Sequence, residues 1–315
     1  VAAAAALYNL PDTSLASLRG GHVSQVYAFR LAGREYVLRL TPPNDEIDAA
    51  SQLPVLAWMQ FLAQRGARVP EPLSTRNGKL VETVAGWTVS AQTRAKGVLS
   101  EEYPLSKWDA PLFEALGQAA GKLHAVARLY QPAADLRRPD WDAAGNLFKS
   151  PAFDRDWLAE KAAAVRARTP GLSRSADGFG LIHADLHFGN FYVDTATRAI
   201  TVFDFDDCCY GWYTMDLAIL LFDVLVLYEG QDREAFGRDF MSSLLRGYRV
   251  ETGLVADWAE QVQLFMKLLE INIYGDLRAG YQPGKDWWAD KFMPGREERI
   301  REDRPFFEPD LSVLV

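Results

Sequence analysis

The 315-residue sequence is poor in cysteine: it has two, Cys208 and Cys209, and they are neighbours. Adjacent cysteines rarely pair with each other, so a disulfide framework is excluded and a reducing compartment is expected. Histidine is also scarce. There are four, and none follows His187, which leaves a hydrolytic zinc centre short of ligands. No apolar run approaches the ~20 residues that span a bilayer. The longest, LAILLFDVLVL (217–227), is interrupted by Asp223 and reads as a buried helix. The opening VAAAAALYNL lacks a basic stretch and a long apolar core, which argues against a secretory signal; its alanines favour helix. Positive charge is in deficit, with 34 Lys and Arg against 42 Asp and Glu and a net charge of −8. That excludes the clustered basic footprint of a nucleic-acid binder. The expectation is a cytoplasmic protein with no membrane and no nucleic-acid partner.

What is present supports a large core. Hydrophobic residues make up 49% and aromatics 12%, enough for two domains or two lobes. VYAFRL (26–31) and EYVLRL (35–40) are rich in β-formers and flank a turn, and Pro42 and Pro43 end the second run. Residues 46–65 carry Ile47, Leu53, Leu56, Met59 and Leu62 near helical spacing, with Pro54 interrupting. Residues 79–94 give two more strands around Ala85 and Gly86. From 109 the pattern turns helical: Asp109 caps a helix with Pro111 in its first turn, and Leu112, Leu116, Ala119, Leu123 and Val126 share a face. Further helices are predicted over 153–168, 214–228, 231–248 and 256–277, with short strands at GLIHADL, NFYVD and AITVFDF. The fold class is α+β, with a β-rich segment over 1–94 and a mainly helical one over 95–315.

Two polar clusters carry the chemistry: LIHADLHFGNFYVD (181–194) and ITVFDFDDCCYG (200–211). On a strand, His183, Asp185 and His187 would share one face as metal ligands, but the chain has too few histidines to complete a hydrolase. ITVFDFDD resembles the first motif of haloacid-dehalogenase-type phosphatases, with Asp204 as nucleophile and Asp206 as acid/base; that reading leaves Asn190 unused. The third reading uses every member. Phosphoryl transfer from ATP needs a carboxylate to orient a hydroxyl and Mg²⁺ to neutralise phosphates, and Mg²⁺ prefers oxygen ligands. H-x-D-x-x-x-x-N followed by an apolar strand and D-x-D supplies these, with Asp185 as base and Asn190 and Asp204 as metal ligands.

HADLHFGN (183–190), FDFDD (203–207) and MDLA (215–218) together resemble the aminoglycoside phosphotransferase and choline kinase family, and GGHVSQVYAF (20–29) and GKLHA (121–125) extend the likeness over most of the chain. The resemblance implies a bilobal protein-kinase-like fold: a small antiparallel β N-lobe with one helix, a larger mainly helical C-lobe, and ATP with Mg²⁺ between them. It implies that Gly20, Gly21 and Ser24 lie over the phosphates. Arg39 takes the place of the strand lysine that meets phosphates, and Gln92 to Arg94 join the lobes near the adenine. His183 supports the loop and Asp216 braces it. The helix acid that usually partners the strand lysine is missing: residues 49–69 contain none, leaving Glu46, Asp48 or Gln52. The acceptor pocket is expected from C-lobe helices, with Glu270 and Tyr274 one turn apart, the stretch YGDLRAGYQPGKDWW (274–288), and Asp206 near metal or substrate. Trp141 and Asp142 are further candidates. The implied activity is phosphorylation of a hydroxyl on a small molecule, of the aminoglycoside, amino alcohol or sugar type, the first two being cationic. The alternatives are a stress-response-type protein Ser/Thr kinase and an ATP-binding regulatory pseudokinase.

Overall fold

The computed structural model describes residues 1–11, 14–18, 24–43, 47–104, 107–143 and 157–314. The chain forms two compact units, one from residues 1–98, 129–138 and 192–206, the other from 99–128, 139–191 and 207–315. Elements are numbered along the chain.

The first unit opens with helix α1 (Ala2–Ala6). Its sheet contains β1 (Ala16–Ser17), β2 (Gln25–Leu31), β3 (Arg34–Thr41), β4 (Pro72–Leu73), β5 (Val81–Val84) and β6 (Trp87–Thr93). The order is β1-β2-β3-β6-β4, with β5 also on β6 and every pairing antiparallel. Two of its turns are Ala-Gly pairs in the left-handed region, Ala32 (φ 49°) with Gly33 (φ 79°) and Ala85 (φ 50°) with Gly86 (φ 83°). Two-residue hairpins require this backbone because its twist matches that of the strands. Period-two alternation then puts Leu38, Leu40, Val89 and Ala91 on one buried face with Ala4, Ala5, Leu7 and Tyr8.

Helix α2 (Ala49–Gln64) packs against β4 and β5. Asp48 accepts the Ser51 N–H at 2.7 Å while the Ser51 hydroxyl accepts the Asp48 N–H at 3.0 Å, a reciprocal cap. The helix runs through Pro54 instead of breaking there. Burial of Val55, Leu56, Trp58, Met59 and Leu62, with the cap, outweighs the lost backbone bond. Strands β7 (Val98–Leu99), β9 (Phe191–Val193) and β10 (Ile200–Val202) form a separate sheet in the order β10-β9-β7.

The second unit is mainly helical: α3 (Ala110–Ala127), α4 (Trp157–Arg166), α5 (Tyr213–Leu227), α6 (Arg233–Glu251), α7 (Trp258–Arg278), α8 (Trp287–Phe292) and α9 (Arg296–Arg301). One antiparallel ladder, β8 (Phe179–Ile182) with β11 (Cys209–Trp212), pairs Ile182 with Cys209. The expected strand over GLIHADL therefore ends at Ile182. Among the described residues no helix is long and apolar enough to cross a membrane.

Helices α3 and α6 touch backbone to backbone through glycine. A Cβ on Gly117 would lie 1.9 Å from the Leu244 carbonyl oxygen, and one on Gly247 1.8 Å from that of Glu114. Alanine normally favours a helix over glycine by about 1 kcal/mol, but here overpacking against fixed backbone decides the sign. Gly117→Ala should destabilise the protein by about 2–3 kcal/mol, read from urea unfolding; an unchanged midpoint would contradict the close approach.

Candidate active site

Helix α5 is buried from Tyr213 to Val226, yet it contains two carboxyl groups, Asp216 and Asp223. Buried carboxyls need partners, and both find them on the loop that follows β8. Asp216, fully buried, accepts the His183 N–H at 3.0 Å on Oδ2 and the Ala184 N–H at 2.8 Å on Oδ1. Those two N–H groups are thereby lost to any ladder, which is why the strand stops. Asp216 Oδ2 also contacts His124 Nε2 at 3.0 Å, and His124 Nδ1 meets the Tyr248 hydroxyl at 2.9 Å. A carboxylate only accepts, so Nε2 of His124 carries its proton. Ala184 is held at φ +66°, a conformation that costs a residue with a side chain about 1–2 kcal/mol and that concentrates at functional sites.

The loop then closes on Asp185. Asn190 Nδ2 donates to the Asp185 backbone oxygen and to Oδ2, both at 2.8 Å. His187 Nε2 lies 3.5 Å from the same Oδ2. The Gly189 N–H donates to His187 Nδ1 at 2.9 Å, so the imidazole proton sits on Nε2, facing Asp185. Burial favours the neutral acid at Asp185, but contacts from His187, His183 and Asn190 outweigh it and hold the carboxyl below its ordinary range. Burial likewise opposes the His187 imidazolium, yet the Asp185 hydrogen bond and the charges of Asp185, Asp223 and Glu101 push its pKa up to about 9. A second ring proton would displace the Gly189 contact. Because the Asn190 amide nitrogen is committed to Asp185, its carbonyl oxygen is the atom available to a hard cation. Asp204, the other expected metal ligand, belongs to the first unit and adopts φ +64°. Amide and carboxylate oxygens are the donors that Mg²⁺ prefers.

Asp185 borders a cavity of about 580 Å³ that lies within the second unit. Trp108, Trp141, Phe188, Phe222, Trp287 and Trp288 give it aromatic walls, and Glu101, Asp185, Asp207 and Asp223 give it four carboxyl groups against the bases His187 and Lys291. Lys291 is itself paired with Glu229. Asp223 ties wall to loop: Oδ2 accepts the Phe188 N–H and Oδ1 accepts the Trp288 indole N–H, each at 2.9 Å. Burial pushes the Asp223 carboxyl up. Removing the indole donor with Trp288→Phe should destabilise the fold by about 2 kcal/mol, the range for an unpartnered buried acceptor; denaturant unfolding measures it, and a loss below about 0.5 kcal/mol would contradict the contact.

The expected acceptor residues divide differently. Glu270 is fully buried and pairs with Lys267 at 2.9 Å and Arg296 at 2.8 Å, and Tyr274 donates its hydroxyl to Glu297 at 2.8 Å. Neither lines the cavity; Leu269, Asn272 and Ile273 do. One residue along a helix is a rotation of about 100°, so positions 270 and 274 face away from the side that 269 and 273 present. Trp287 and Trp288, from the predicted 274–288 stretch, and Trp141 do line it, whereas Asp142 does not. Asp223, Glu101, Trp108 and Asp207 escaped the sequence reading. For Asp223 the signal was present, as a lone acid inside an apolar helix.

Of the residues expected near the nucleotide, Gly20, Gly21 and Glu46 lie outside the described residues. Within the first unit, Arg39 holds Asp206 with both arms of its guanidinium, Nη1 to Oδ1 at 3.1 Å and Nη2 to Oδ2 at 2.5 Å, and donates from Nε to Ser24 Oγ at 3.0 Å. Asp206 thus sits against Arg39 and is absent from the cavity lining. Gln92 pairs with Val37 and Pro72 near the end of β6. Arg94 follows that strand and lies 3.8 Å from Glu35.

The family profile for phosphotransferase enzymes matches residues 14–259. Amicoumacin kinase of Bacillus subtilis (strain 168) is 31% identical over 330 aligned residues, covering 100% of this chain and 95% of that protein. Homoserine kinase of Gluconobacter oxydans (strain 621H) is 29% identical over 209 residues, 63% of this chain and 62% of its own. Among solved structures, an amicoumacin kinase in complex with AMP-PNP, Ca²⁺ and Ami superposes with a TM-score of 0.86 at 28% identity, covering 99% of this chain and 95% of that one. A microcompartment-associated aminopropanol kinase shares the fold, with a TM-score of 0.72 at 22% identity and coverage of 96% and 97%. The chain has an α+β, protein-kinase-like architecture and belongs to the phosphotransferase enzyme family.

Proposed function

We propose that this protein transfers the γ-phosphoryl group of ATP to a hydroxyl on a small, amine-bearing molecule. The observation that carries the reading is the placement of Asp185 at the edge of an aromatic cavity with four carboxyl groups. Aromatic faces and carboxylates both favour an ammonium group. In this reading Ser24, Arg39 and Asp204 are the donor-side groups and Asp185 is the base. Asp185 Oδ2 is occupied by Asn190 and His187, which supports Oδ1 as the atom that takes the acceptor proton in this reading. The acceptor oxygen attacks phosphorus as its proton passes to Asp185, and the bond from the γ-phosphorus to the β–γ bridging oxygen breaks, releasing ADP. A carboxyl held below its usual range is a weak base. That suits a loose transition state, in which orientation matters more than early deprotonation. Asn190 and Asp204 would hold Mg²⁺, which when bound neutralises the phosphate oxygens.

The walled cavity favours a small acceptor over a protein segment. ADP release from Mg·ATP, measured across amino alcohols, aminoglycosides, amicoumacin, sugars and a generic protein acceptor, tests this, with Asp185→Ala as control. Turnover with amine-bearing alcohols that vanishes in the variant supports the reading. Turnover only with the protein acceptor, or with neutral sugars, would replace it.

A further inference from the structure

The helix that ordinarily anchors the phosphate-side cation with an acid has none to offer here: α2 reads AASQLPVLAWMQFLAQ. Arg39 is nevertheless not left to solvent. Its guanidinium has five N–H donors, and among the described residues three are engaged, two by Asp206 and one by Ser24. Burial opposes its charge, but the Asp206 hydrogen bond and the charges of Asp206 and Asp204 outweigh that. Asp206 is itself fixed from three sides. Gln52 of α2 donates its amide to Oδ1 at 3.2 Å, Arg39 takes both oxygens, and Arg138 binds the Asp206 backbone oxygen at 2.7 Å while reaching the Ser51 carbonyl of α2 at 3.4 Å. The neutral amide of Gln52 therefore stands on the helix where an acid would be expected, and the missing negative charge arrives on the neighbouring side chain.

We infer that Asp206 is a positioning residue for Arg39: it replaces the absent helix acid and clamps the guanidinium so that its two remaining N–H groups are fixed toward the donor phosphates, while Gln52 orients the carboxylate. This rests on the reading of Arg39 as a phosphate contact, and it separates Asp206 from Asp204, two residues earlier. A bidentate Arg–carboxylate pair restricts the plane as well as the position of the guanidinium. A carboxylate committed in this way works through Arg39 and does not itself reach metal or acceptor.

Relocating the charge tests the inference. Mg·AMP-PNP binding to the full chain is measured calorimetrically for wild type, Arg39→Ala, Asp206→Asn, Gln52→Glu and the double variant Asp206→Asn/Gln52→Glu, with thermal melting as a check on folding. Arg39→Ala and Asp206→Asn should each weaken binding about tenfold. The double variant, which returns the carboxylate to the helix, should recover to within about threefold of wild type, with an unchanged Mg²⁺ requirement. Gln52→Glu should give no such recovery to Asp204→Asn. Wild-type affinity in Asp206→Asn would overturn the inference. So would a double variant no better than the single, or a raised Mg²⁺ requirement in Asp206→Asn, the latter making Asp206 a metal ligand. Wild-type affinity in Arg39→Ala would instead remove Arg39 from the phosphate site, and a wild type that binds no nucleotide would sink the functional reading itself.

Discussion

Asp185→Asn will lower turnover by about 10³-fold or more, within the range that a positioned acid–base group contributes, while leaving nucleotide affinity within about twofold. Asparagine keeps the size of the side chain and one carbonyl oxygen, so the loop retains its packing. It loses the charge and the proton acceptor. The side chain faces three groups arranged around an anion: the Asn190 amide at 2.8 Å, His187 Nε2 at 3.5 Å and the nearby His183 ring. A neutral amide there must turn either its oxygen or its nitrogen toward Asn190 and lacks the negative charge that the His187 Nε2–H faces. The expected pattern is a collapsed kcat with little change in KM for ATP, measured by ADP release and direct Mg·AMP-PNP binding. Because the folded Asp185 carboxyl titrates below its ordinary value of 3.8, the acid limb of the wild-type kcat profile should fall below that pH. A variant retaining a tenth of the wild-type rate, or losing nucleotide affinity in step with kcat, would show that Asp185 is not the acceptor-side base.

Sequence spacing made the loop legible because its hydrogen bonds are local. Asp185 and Asn190 are five residues apart, and one side chain closes the turn that both occupy. The antiparallel sheet was legible for a similar reason: alternation and the Ala-Gly turns act over a few residues. The acceptor cavity depends instead on helix rotation and long-range packing. Glu270 and Tyr274 form a correctly spaced helical pair, yet the face they share turns to Arg296 and Glu297, and no local pattern fixes that choice. Asp223 shows the converse. Its identity as a charged residue in an apolar run was visible, but its two partners, Phe188 and Trp288, lie 35 and 65 residues away. The short helices α8 and α9 are built from mixed aromatic and charged residues, and neither stretch carries enough turns for a period to emerge. The replacement of the helix acid by Asp206 belongs with these cases. The absence on α2 could be read directly, whereas Asp206 is 167 residues beyond Arg39.

The largest expected loss of stability comes from Asp216→Ala, at about 3–5 kcal/mol, the range for removing one partner from a buried charged network. Asp216 has no exposed surface and collects three donors from two directions: the His183 and Ala184 amides of the loop after β8 and Nε2 of His124 on α3. Alanine would strand all three in the interior, at about 1–3 kcal/mol for each that finds no substitute. Some recover by relaxation, so the contributions do not sum. The amide at Ala184 has the least room to adapt, since its backbone is held in the left-handed region by that contact. Asp216→Asn separates charge from hydrogen bonding. It keeps one acceptor oxygen, but its amide nitrogen must face either the Ala184 N–H or the His183 N–H together with His124, so a donor–donor clash with a backbone N–H remains in both orientations. The alanine variant should therefore lose most of its unfolding free energy, and the asparagine variant about half as much. In both, kcat should fall further than the fraction of folded protein, because the loop that carries Asp185 is released from α5. Urea unfolding followed by near-UV circular dichroism gives the first quantity, and ADP release per folded molecule gives the second. If Asp216→Ala melted like wild type, His183 and Ala184 would have to be held by other acceptors. If stability fell while turnover per folded molecule stayed constant, Asp216 would support the fold without setting the position of Asp185.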